Sequence, residues 1–392
     1  MKLVEIQEGV GTFLVPESLI NDQIPRRSNE VFFNFHQEIN RDFSVLLLRA
    51  YGDINSKNDL RVCEPLCGSG IRSARYALET PTSSLYCNDI NSKAVHIAQK
   101  NINRLPSPTA KRVQLFNMDC NSFLQKLNVE NFVFDFIDID PFGTPIPFVQ
   151  YSIRLVTLEG LLAFTATDLA SLVGLYPKAL YAKYGLSHFD IRIGNVHEIA
   201  ARALITGIQH IGLTLSQSLI PIATLYHRHF MRCFLVRNRG VDTVINQTGF
   251  IHLCKRCQAR YTSLLGEKRT SCPACGEPDE MKIGPIYLGR IHNSEYLSSI
   301  LLDEHLQKMG TRKRLVKILP LMIDESSLDI PWSFDIPKLA KEVRVTVPSI
   351  TQIMKILKER GYKCYKTHFS GSSLKTDANE AELCSVIKSL KP

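Results

Sequence analysis

Between residues 60 and 165, short apolar runs alternate with amphipathic stretches of helical spacing. The apolar runs predict five strands, at Leu60–Glu64, Ser84–Asn88, Arg112–Asn117, Phe132–Ile139 and Gly160–Thr165. The stretches Ile71–Glu79 and Ser92–Arg104 predict helices between them. Alternation of this kind is typical of an α/β fold, in which a doubly wound, Rossmann-like parallel sheet carries helices on both faces.

The pattern changes after residue 214. Leu215–Tyr226 and Phe230–Arg237 are separated by a short polar turn and predict a hairpin of antiparallel strands at the end of the sheet. A segment rich in Cys, Gly and Pro follows at residues 249–285, and helical periodicity returns over residues 300–370. We therefore expect an N-terminal domain at residues 1–240 and a C-terminal domain at residues 241–392.

The composition excludes a disordered or fibrous chain, because 44% of the 392 residues are hydrophobic and 22% are charged. The net charge of +9 lies in the second half of the chain. Residues 1–226 carry 20 Lys and Arg against 21 Asp and Glu, residues 227–284 carry 10 against 5, and residues 285–392 carry 17 against 12. This distribution suits nucleic acid as a partner, although a solvated surface explains an excess of this size about as well.

The chain begins without an apolar signal segment. Its longest uncharged run, Ala203–His227, contains glutamines, serines and a proline, so a buried helix followed by a core strand is favoured over a membrane span. Eleven scattered cysteines do not form the framework of a secreted disulfide protein. We expect a cytoplasmic protein with no membrane contact, and the sequence indicates no obligate protein partner.

A glycine-containing loop, Cys67-Gly68-Ser69-Gly70, joins the first predicted strand to its helix. Such loops let the backbone approach a nucleotide at the edge of an open α/β sheet. Asp89 follows the second strand, where an acid can accept hydrogen bonds from a ribose, and Glu64 ends the first strand, where a carboxylate suits a cationic ligand. The NAD fingerprint G-x-G-x-x-G is absent. Glu64 suits the sulfonium and amino groups of S-adenosylmethionine and would repel the pyrophosphate of NAD, so S-adenosylmethionine is favoured. The alternative is a tight turn without a ligand.

A second loop, Asp140-Pro141-Phe142-Gly143, follows the fourth strand and resembles the catalytic loop of amino-group methyltransferases. An exocyclic base amine is a poor nucleophile, and acceptors on its protons stabilise the charge that develops as a methyl group arrives. A carboxylate matches the two neighbouring donors of guanine, whereas an amide matches adenine. Phe142 can stack on the base, and Phe32 is a candidate for the opposite wall. Asp-Pro also starts ordinary turns.

Two C-x2-C pairs, Cys254 with Cys257 and Cys272 with Cys275, are separated by 14 residues. This spacing indicates a four-thiolate Zn²⁺ site, which would be structural because four protein ligands leave no open position. A redox-active cysteine pair is the alternative. Basic residues flank the cysteines, so the insert could face phosphates.

Two predicted helices, Asp335–Val343 and Ser349–Arg360, precede a strand-like run at Gly361–Tyr365. Helix–turn–helix–strand order resembles a winged helix. An ordinary helical hairpin with one charged face is the alternative.

Together these motifs resemble the tRNA (guanine-26-N2)-dimethyltransferase family. The matching segments cover most of residues 30–380 and are Glu30–Ser44, Gly68–Arg72, Asp140–Gly143, Thr165–Asp168, Thr367–Phe369 and Lys375–Asp377. The resemblance implies a class I methyltransferase that transfers methyl groups from S-adenosylmethionine to N2 of a guanine between the D and anticodon arms of tRNA.

The resemblance also implies roles for individual residues. Arg41 and Arg72 would contact the cofactor through its methionyl carboxylate, Asp89 would bind the ribose, and Asp119 and Cys120 would border the adenine. Asp140 would be the catalytic acceptor, with Phe32 and Phe142 framing the base. Phe35 stands where the family often has proline, and the four-cysteine insert does not occur in every member.

Two other functions are compatible with parts of the sequence. One keeps the cofactor but methylates adenine N6 or a protein amide, for which Asn-Pro-Pro-Tyr/Phe is the usual loop. The other is a non-enzymatic nucleic-acid-binding regulator built from a zinc ribbon and a winged helix. The sequence does not decide between one and two methyl groups, nor whether a neighbouring guanine is accepted, and it leaves the oligomeric state open.

Overall fold

A computed structural model describes residues 2–20, 31–187, 189, 196–278 and 280–390; Glu30 lies outside the described residues. The chain forms two compact units that alternate along the sequence. The first comprises Met1–Thr167, Phe234–Asn238 and Glu295–Leu319, and the second comprises Asp168–Cys233, Arg239–Ser294 and Pro320–Pro392. The division at residue 240 remains a prediction.

The predicted parallel sheet is present. Strands β1 (Leu3–Glu8) and β2 (Gly11–Pro16) form an antiparallel hairpin. The next seven strands are β3 (Leu60–Glu64), β4 (Thr82–Asn88), β5 (Val113–Phe116), β6 (Phe134–Ile139), β7 (Val156–Ala166), β8 (Gln217–His227) and β9 (Phe230–Arg239). They form one sheet in the order β5-β4-β3-β6-β7-β9-β8.

The pairs from β5 to β7 are parallel. Two residues join β8 to β9, a link short enough only for antiparallel strands. Strand β6 is buried along its whole length, as expected for a parallel strand covered on both faces. The α/β fold class with antiparallel end strands is therefore confirmed.

The helices have the following bounds. They are α1 (Glu38–Ile54), α2 (Ile71–Glu79), α3 (Ser92–Asn103), α4 (Ser107–Ala110), α5 (Cys120–Val129), α6 (Val149–Leu155), α7 (Leu169–Leu172), α8 (Pro177–Tyr184), α9 (Val196–Thr214), α10 (Asp242–Ile245), α11 (Ser294–Leu302), α12 (Arg312–Glu325), α13 (Ile336–Glu342), α14 (Ile350–Glu359) and α15 (Glu380–Ser389). Short 3₁₀ turns lie at Glu17–Leu19, Phe35–Gln37, Ile146–Phe148 and Glu304–Lys308.

Two small antiparallel sheets lie in the second unit. The cysteine-rich insert contains β10 (Thr248–Cys254), β11 (Arg260–Leu264) and β12 (Glu280–Tyr287), with β10 in the middle. The C-terminal module contains β13 (Phe334–Asp335), β14 (Cys364–Lys366) and β15 (Ser373–Thr376). Its order, β13-α13-α14-β14-β15, is that of a winged helix, and its core joins residues of α13, α14 and the following α15 to the sheet.

The run Ala203–His227 forms the end of α9 and strand β8, as predicted. Among the described residues, no helix combines the length and apolar character needed to cross a bilayer.

Candidate active site

The predicted cofactor and catalytic residues gather at the carboxyl edge of the parallel strands, where open α/β sheets bind ligands. A cavity of about 420 Å³ is lined by Phe32, Gly68, Asp89, Asp119, Cys120, Asp140, Pro141 and Phe142, among others. A narrower cavity of about 60 Å³ shares Phe32, Gly68 and Asp140 with it and adds Arg41, Glu64 and Arg72. Of the twelve residues predicted for catalysis and cofactor binding, only Gly70 lines neither cavity.

The two glycines of the loop after β3 have different surroundings. Gly68 has a φ of +53° and its backbone N–H donates to Asp89 Oδ2 (2.9 Å) beside the larger cavity. Gly70 has a φ of +74°, and a Cβ there would lie 2.7 Å from the Cβ of Ala98 on α3. Gly70 therefore allows α2 and α3 to pack closely, and Gly68 is the glycine that faces the ligand space.

Asp89 is held in place by backbone amides. Its Oδ1 accepts from Asn91 N–H and its Oδ2 from Gly68 N–H, both at 2.9 Å. Burial raises the pKa of Asp89, although these two donors act in the opposite direction. Each oxygen has a second acceptor position, so the carboxylate can still receive ribose hydroxyls.

Asn88, which sequence reasoning missed, connects three loops at this edge. Its Nδ2 donates to the carbonyl oxygens of Pro65 (3.1 Å) and Met118 (3.0 Å), and its Oδ1 accepts from Met118 N–H (2.9 Å). The loops after β3, β4 and β5 are thereby tied together. In the sequence, this role of Asn88 is indicated only by its position at the end of a predicted strand.

Arg72 is buried and contacts three carboxylates. Its Nη2 donates to Asp140, its Nη1 lies 3.3 Å from Asp138 Oδ2, and its Nε lies 3.3 Å from Glu64 Oε1. Glu64 ends β3 and Asp140 follows β6, so one guanidinium connects the end of β3 to the loop after β6. A planar group with five donors suits this arrangement.

Glu64 is 2% exposed and also accepts from the Ser73 hydroxyl. Burial raises the pKa of Glu64 to about 8, with Arg72 opposing the shift and Asp138 adding to it. A cationic group placed beside Glu64 would favour its ionised form.

Arg41 reaches the narrow cavity, but its donors already have partners. Its Nε and Nη2 each donate to one oxygen of Glu8 at 2.6 Å, and its Nη1 donates to the carbonyl of Asn34 (3.2 Å). Burial opposes ionisation of Glu8, but Arg41 and Arg75 lower its pKa to about 2. The nearby Phe35, where the family often has proline, is 54% exposed.

The catalytic loop is fixed at both ends. Arg72 holds Asp140, while Gly143 N–H donates to Thr167 Oγ1 (2.7 Å) and Thr167 N–H donates back to the Gly143 carbonyl (2.8 Å). Between these anchors, Phe142 is 48% exposed and meets Phe32 edge to face, with ring centroids 4.5 Å apart. A base can lie between these two rings only after they separate.

The sequence is similar to those of known proteins over almost its whole length. Residues 9–388 match the model of the N2,N2-dimethylguanosine tRNA methyltransferase family. The chain is 32% identical to the tRNA (guanine(26)-N(2)/guanine(27)-N(2))-dimethyltransferase of Aquifex aeolicus, covering 98% of this chain and 96% of that relative. It is also 32% identical to the tRNA (guanine(26)-N(2))-dimethyltransferase of Thermococcus kodakarensis, with complete coverage of both. This chain belongs to that family.

A solved relative supports the assignment, and the resemblance predicted from the motifs is confirmed. The structure of Trm1 from Pyrococcus horikoshii with S-adenosyl-L-methionine matches this tRNA methyltransferase with a TM-score of 0.81 and 26% identity. The match covers 98% of this chain and 99% of the other.

The four predicted metal ligands of this family member converge. The four sulfur atoms all lie within 4.8 Å of one another, with 3.6 Å between Cys254 and Cys275 and between Cys257 and Cys272. A tetrahedron of four Zn–S bonds of 2.3 Å has edges of about 3.8 Å. The backbone N–H of Cys257 also points at Cys254 Sγ (3.5 Å), as suits a thiolate.

A second cluster, His292, Glu325 and His368, was not predicted because its members are far apart in sequence. Glu325 Oε1 lies 2.9 Å from His368 Nδ1, and Glu325 Oε2 lies 3.3 Å from His292 Nε2. The other nitrogen of each ring accepts a backbone N–H, from Tyr226 for His368 (3.4 Å) and from Thr224 for His292 (3.3 Å). The ring proton of His368 therefore points towards Glu325 Oε1, whereas His292 Nε2 and Glu325 Oε2 lie in contact without a hydrogen bond.

Proposed function

We propose that this family member transfers methyl groups from S-adenosylmethionine to N2 of a guanine in tRNA, at position 26, forming N2-methyl- and N2,N2-dimethylguanosine. The observation that carries the proposal is the joint placement of Asp140, Pro141 and Phe142 with Gly68 and Asp89 around one cavity. The named activity of the full-length relatives supports the same substrate.

The residues that line the larger cavity fit S-adenosylmethionine. It supplies an activated methyl group when bound. Asp89 is placed to accept from a ribose, Gly68 leaves the backbone uncovered, and Asp119 and Cys120 line the same cavity and would border an adenine. Glu64 would face a positive charge. Arg72 and Arg41 would approach a carboxylate, although both are hydrogen-bonded to acids here.

Asp140 is the proposed catalytic acceptor. Its side chain lines both cavities and is oriented by Arg72. A fixed carboxylate stabilises the positive charge that develops on the amine and costs no reorganisation at the moment of transfer. The carbonyl before Pro141 is a second acceptor of restricted geometry.

Phe32 and Phe142 are proposed to hold the base. A guanine inside folded RNA has to leave its stack, and aromatic faces compensate for the lost stacking. Because the two rings contact each other, we expect base entry to separate them.

We also propose that Zn²⁺ occupies the four-cysteine cluster and folds the insert. Separations of 3.6 Å between sulfur atoms support a tetrahedral metal, and the absence of an open position supports a structural role. We place the protein in the cytoplasm, because none of its eleven cysteines forms a disulfide bond, as expected in a reducing compartment.

The decisive experiment measures methyl transfer. An unmodified tRNA transcript with guanine at position 26 is incubated with enzyme and labelled S-adenosylmethionine, then digested to nucleosides and mapped. We expect N2-methylated guanosine at position 26, and none in a transcript with adenine there. Label on adenine N6 or on protein would favour the second enzyme class. Tight tRNA binding without any transfer under saturating donor would favour the non-enzymatic regulator.

A further inference from the structure

The N-terminal half of α12 carries a row of positive charge that folding does not explain. Arg312, Lys313 and Arg314 form the first turn, which contains no acid, and Lys317 follows one turn after Lys313. Cations near a helix N-terminus oppose the helix dipole, and like charges at i, i+4 repel each other. Both effects destabilise the helix, so this arrangement costs the isolated protein free energy.

Several of the basic side chains in and before this helix are exposed to solvent and can contact a ligand. Lys308, Arg312, Lys313 and Lys317 are exposed, and none of the four forms an ion pair with an acid in the described part of the chain. Leu315 and Leu319 on the same helix are buried. The helix is thus anchored by its apolar side and presents its basic side to solvent.

A buried network fixes the start of this helix to the elements that carry the site. Thr311 N–H and Oγ1 donate to Asp42 Oδ2 on α1, at 2.9 and 2.6 Å. Asp42 Oδ1 accepts from Arg75 Nη1 on α2 (2.6 Å), and Arg75 Nη1 also donates to Glu8, the partner of Arg41 (2.9 Å). All these residues belong to the first unit. The basic surface and the cavity lined by Arg41 therefore share one rigid support.

We infer that the surface formed by Lys308, Arg312, Lys313 and Lys317 binds the sugar-phosphate backbone of the tRNA substrate. A row of exposed cations without acid partners complements a regular polyanion, and phosphate contacts position a nucleic acid without reading its sequence. The inference rests on the proposed function and adds to it the surface that orients the RNA relative to Asp140.

The test reverses two charges in the full-length enzyme. The variant Lys313→Glu/Lys317→Glu is compared with the wild type and with a control, Lys100→Glu/Lys111→Glu. The control lysines are exposed in the same unit, near the amino-terminal edge of the parallel strands and away from the cavity. The Kd for a tRNA transcript is measured between 50 and 200 mM salt, together with the Tm and the kinetics of methyl transfer.

We expect the Lys313/Lys317 variant to bind tRNA at least about tenfold more weakly at 0.1 M salt. The slope of log K against the logarithm of the salt concentration should become shallower by about one unit for each phosphate contact that is lost. KM for tRNA should rise while kcat stays near wild type. The Tm should not fall, since an acid in the first turn favours the helix dipole. A lower affinity together with an unchanged or higher Tm cannot be ascribed to unfolding.

Equal tRNA affinity in the variant and the control would overturn the inference and leave the proposed function intact. If the wild type transfers no methyl group but the variant still binds tRNA more weakly than the wild type, the surface is supported and the proposed function is refuted. A further measurement compares how efficiently polyglutamate of matched charge and a second tRNA displace the bound tRNA. Equal efficiency would assign the surface to an acidic protein and overturn the inference.

Discussion

At the residue scale, the most informative side chain is Arg72. One buried guanidinium contacts Glu64 at the end of β3 and Asp140 in the loop after β6. Removal of this guanidinium would leave several buried carboxylates uncompensated, so a change at Arg72 itself would affect both proposed parts of the site. Residue roles in this site must therefore be separated by measuring binding and turnover independently.

Asp140→Ala tests the catalytic role. We expect a loss of methyl transfer of at least about 10²- to 10³-fold, the cost of removing one preorganised group that stabilises developing charge. Affinity for S-adenosylmethionine, measured by calorimetry, should stay near wild type. Asp53→Ala, which removes an exposed carboxylate on α1, is the control and should be fully active. An Asp140 variant that keeps more than half of its turnover would refute the role.

At the element scale, the part of the insert around the four cysteines has only a small apolar cluster, whereas β10 and β12 bury Ile251, Ile283 and Ile286. Its apolar cluster is small and contains Cys254, Cys272 and Tyr261, with Ala259 and Cys275 packed against it. A metal that binds the folded form alone would stabilise this part of the insert, because its own apolar cluster is small.

Cys257→Ser should remove the metal and loosen this insert. We expect native mass spectrometry and elemental analysis to find about one Zn²⁺ per wild-type chain and none in the variant, with a lower Tm and little change in kcat. Cys384→Ser, a free cysteine outside the cluster, is the control and should keep its zinc. Freshly reduced wild-type protein without zinc would contradict the prediction.

At the scale of the whole molecule, stability depends on buried groups whose pKa differs between the folded and the unfolded chain. Burial lowers the pKa of His292, with Glu325 opposing the shift and His368 and Lys375 adding to it. Burial opposes ionisation of Glu325, but the two histidines hold its pKa well below the usual range. The unfolded chain therefore takes up protons more readily than the folded chain at both positions. Stability is full above the unfolded pKa of each group and falls as the pH drops, first below about 6.5 for His292.

The variant His292→Asn tests this dependence, because its amide can still accept the Thr224 N–H. We expect the free energy of unfolding, from urea titrations between pH 7 and 5, to fall less steeply with acid in the variant than in the wild type. The difference should approach about 1.4 kcal/mol per pH unit at most. His96→Asn, at an exposed position on α3, should follow the wild type. Parallel curves for all three proteins would contradict the prediction.

The apolar pattern of the chain was enough to predict the parallel strands and to place chemically competent residues in the loops that follow them. Leu60–Glu64 and Ile71–Glu79 were predicted with the bounds they have, because each buries a periodic apolar face and is followed by a turn or a helix cap. Asp89 and Asp140 were found because they follow apolar strands, and the carboxyl ends of parallel strands meet at one edge. The C-x2-C spacing similarly identified the cysteine cluster, since both pairs form local turns.

The contacts between side chains that are far apart in the sequence became known only from the tertiary structure. It gave Gly70 a packing role against Ala98, paired Arg41 with Glu8, and connected Arg72 to three carboxylates. It also brought together His292, Glu325 and His368, which are 33 and 43 residues apart along the chain. Hydrophobic periodicity indicates which face of a helix or strand is buried. It does not indicate which charged side chain of another element contacts that face, because this depends on how the elements pack.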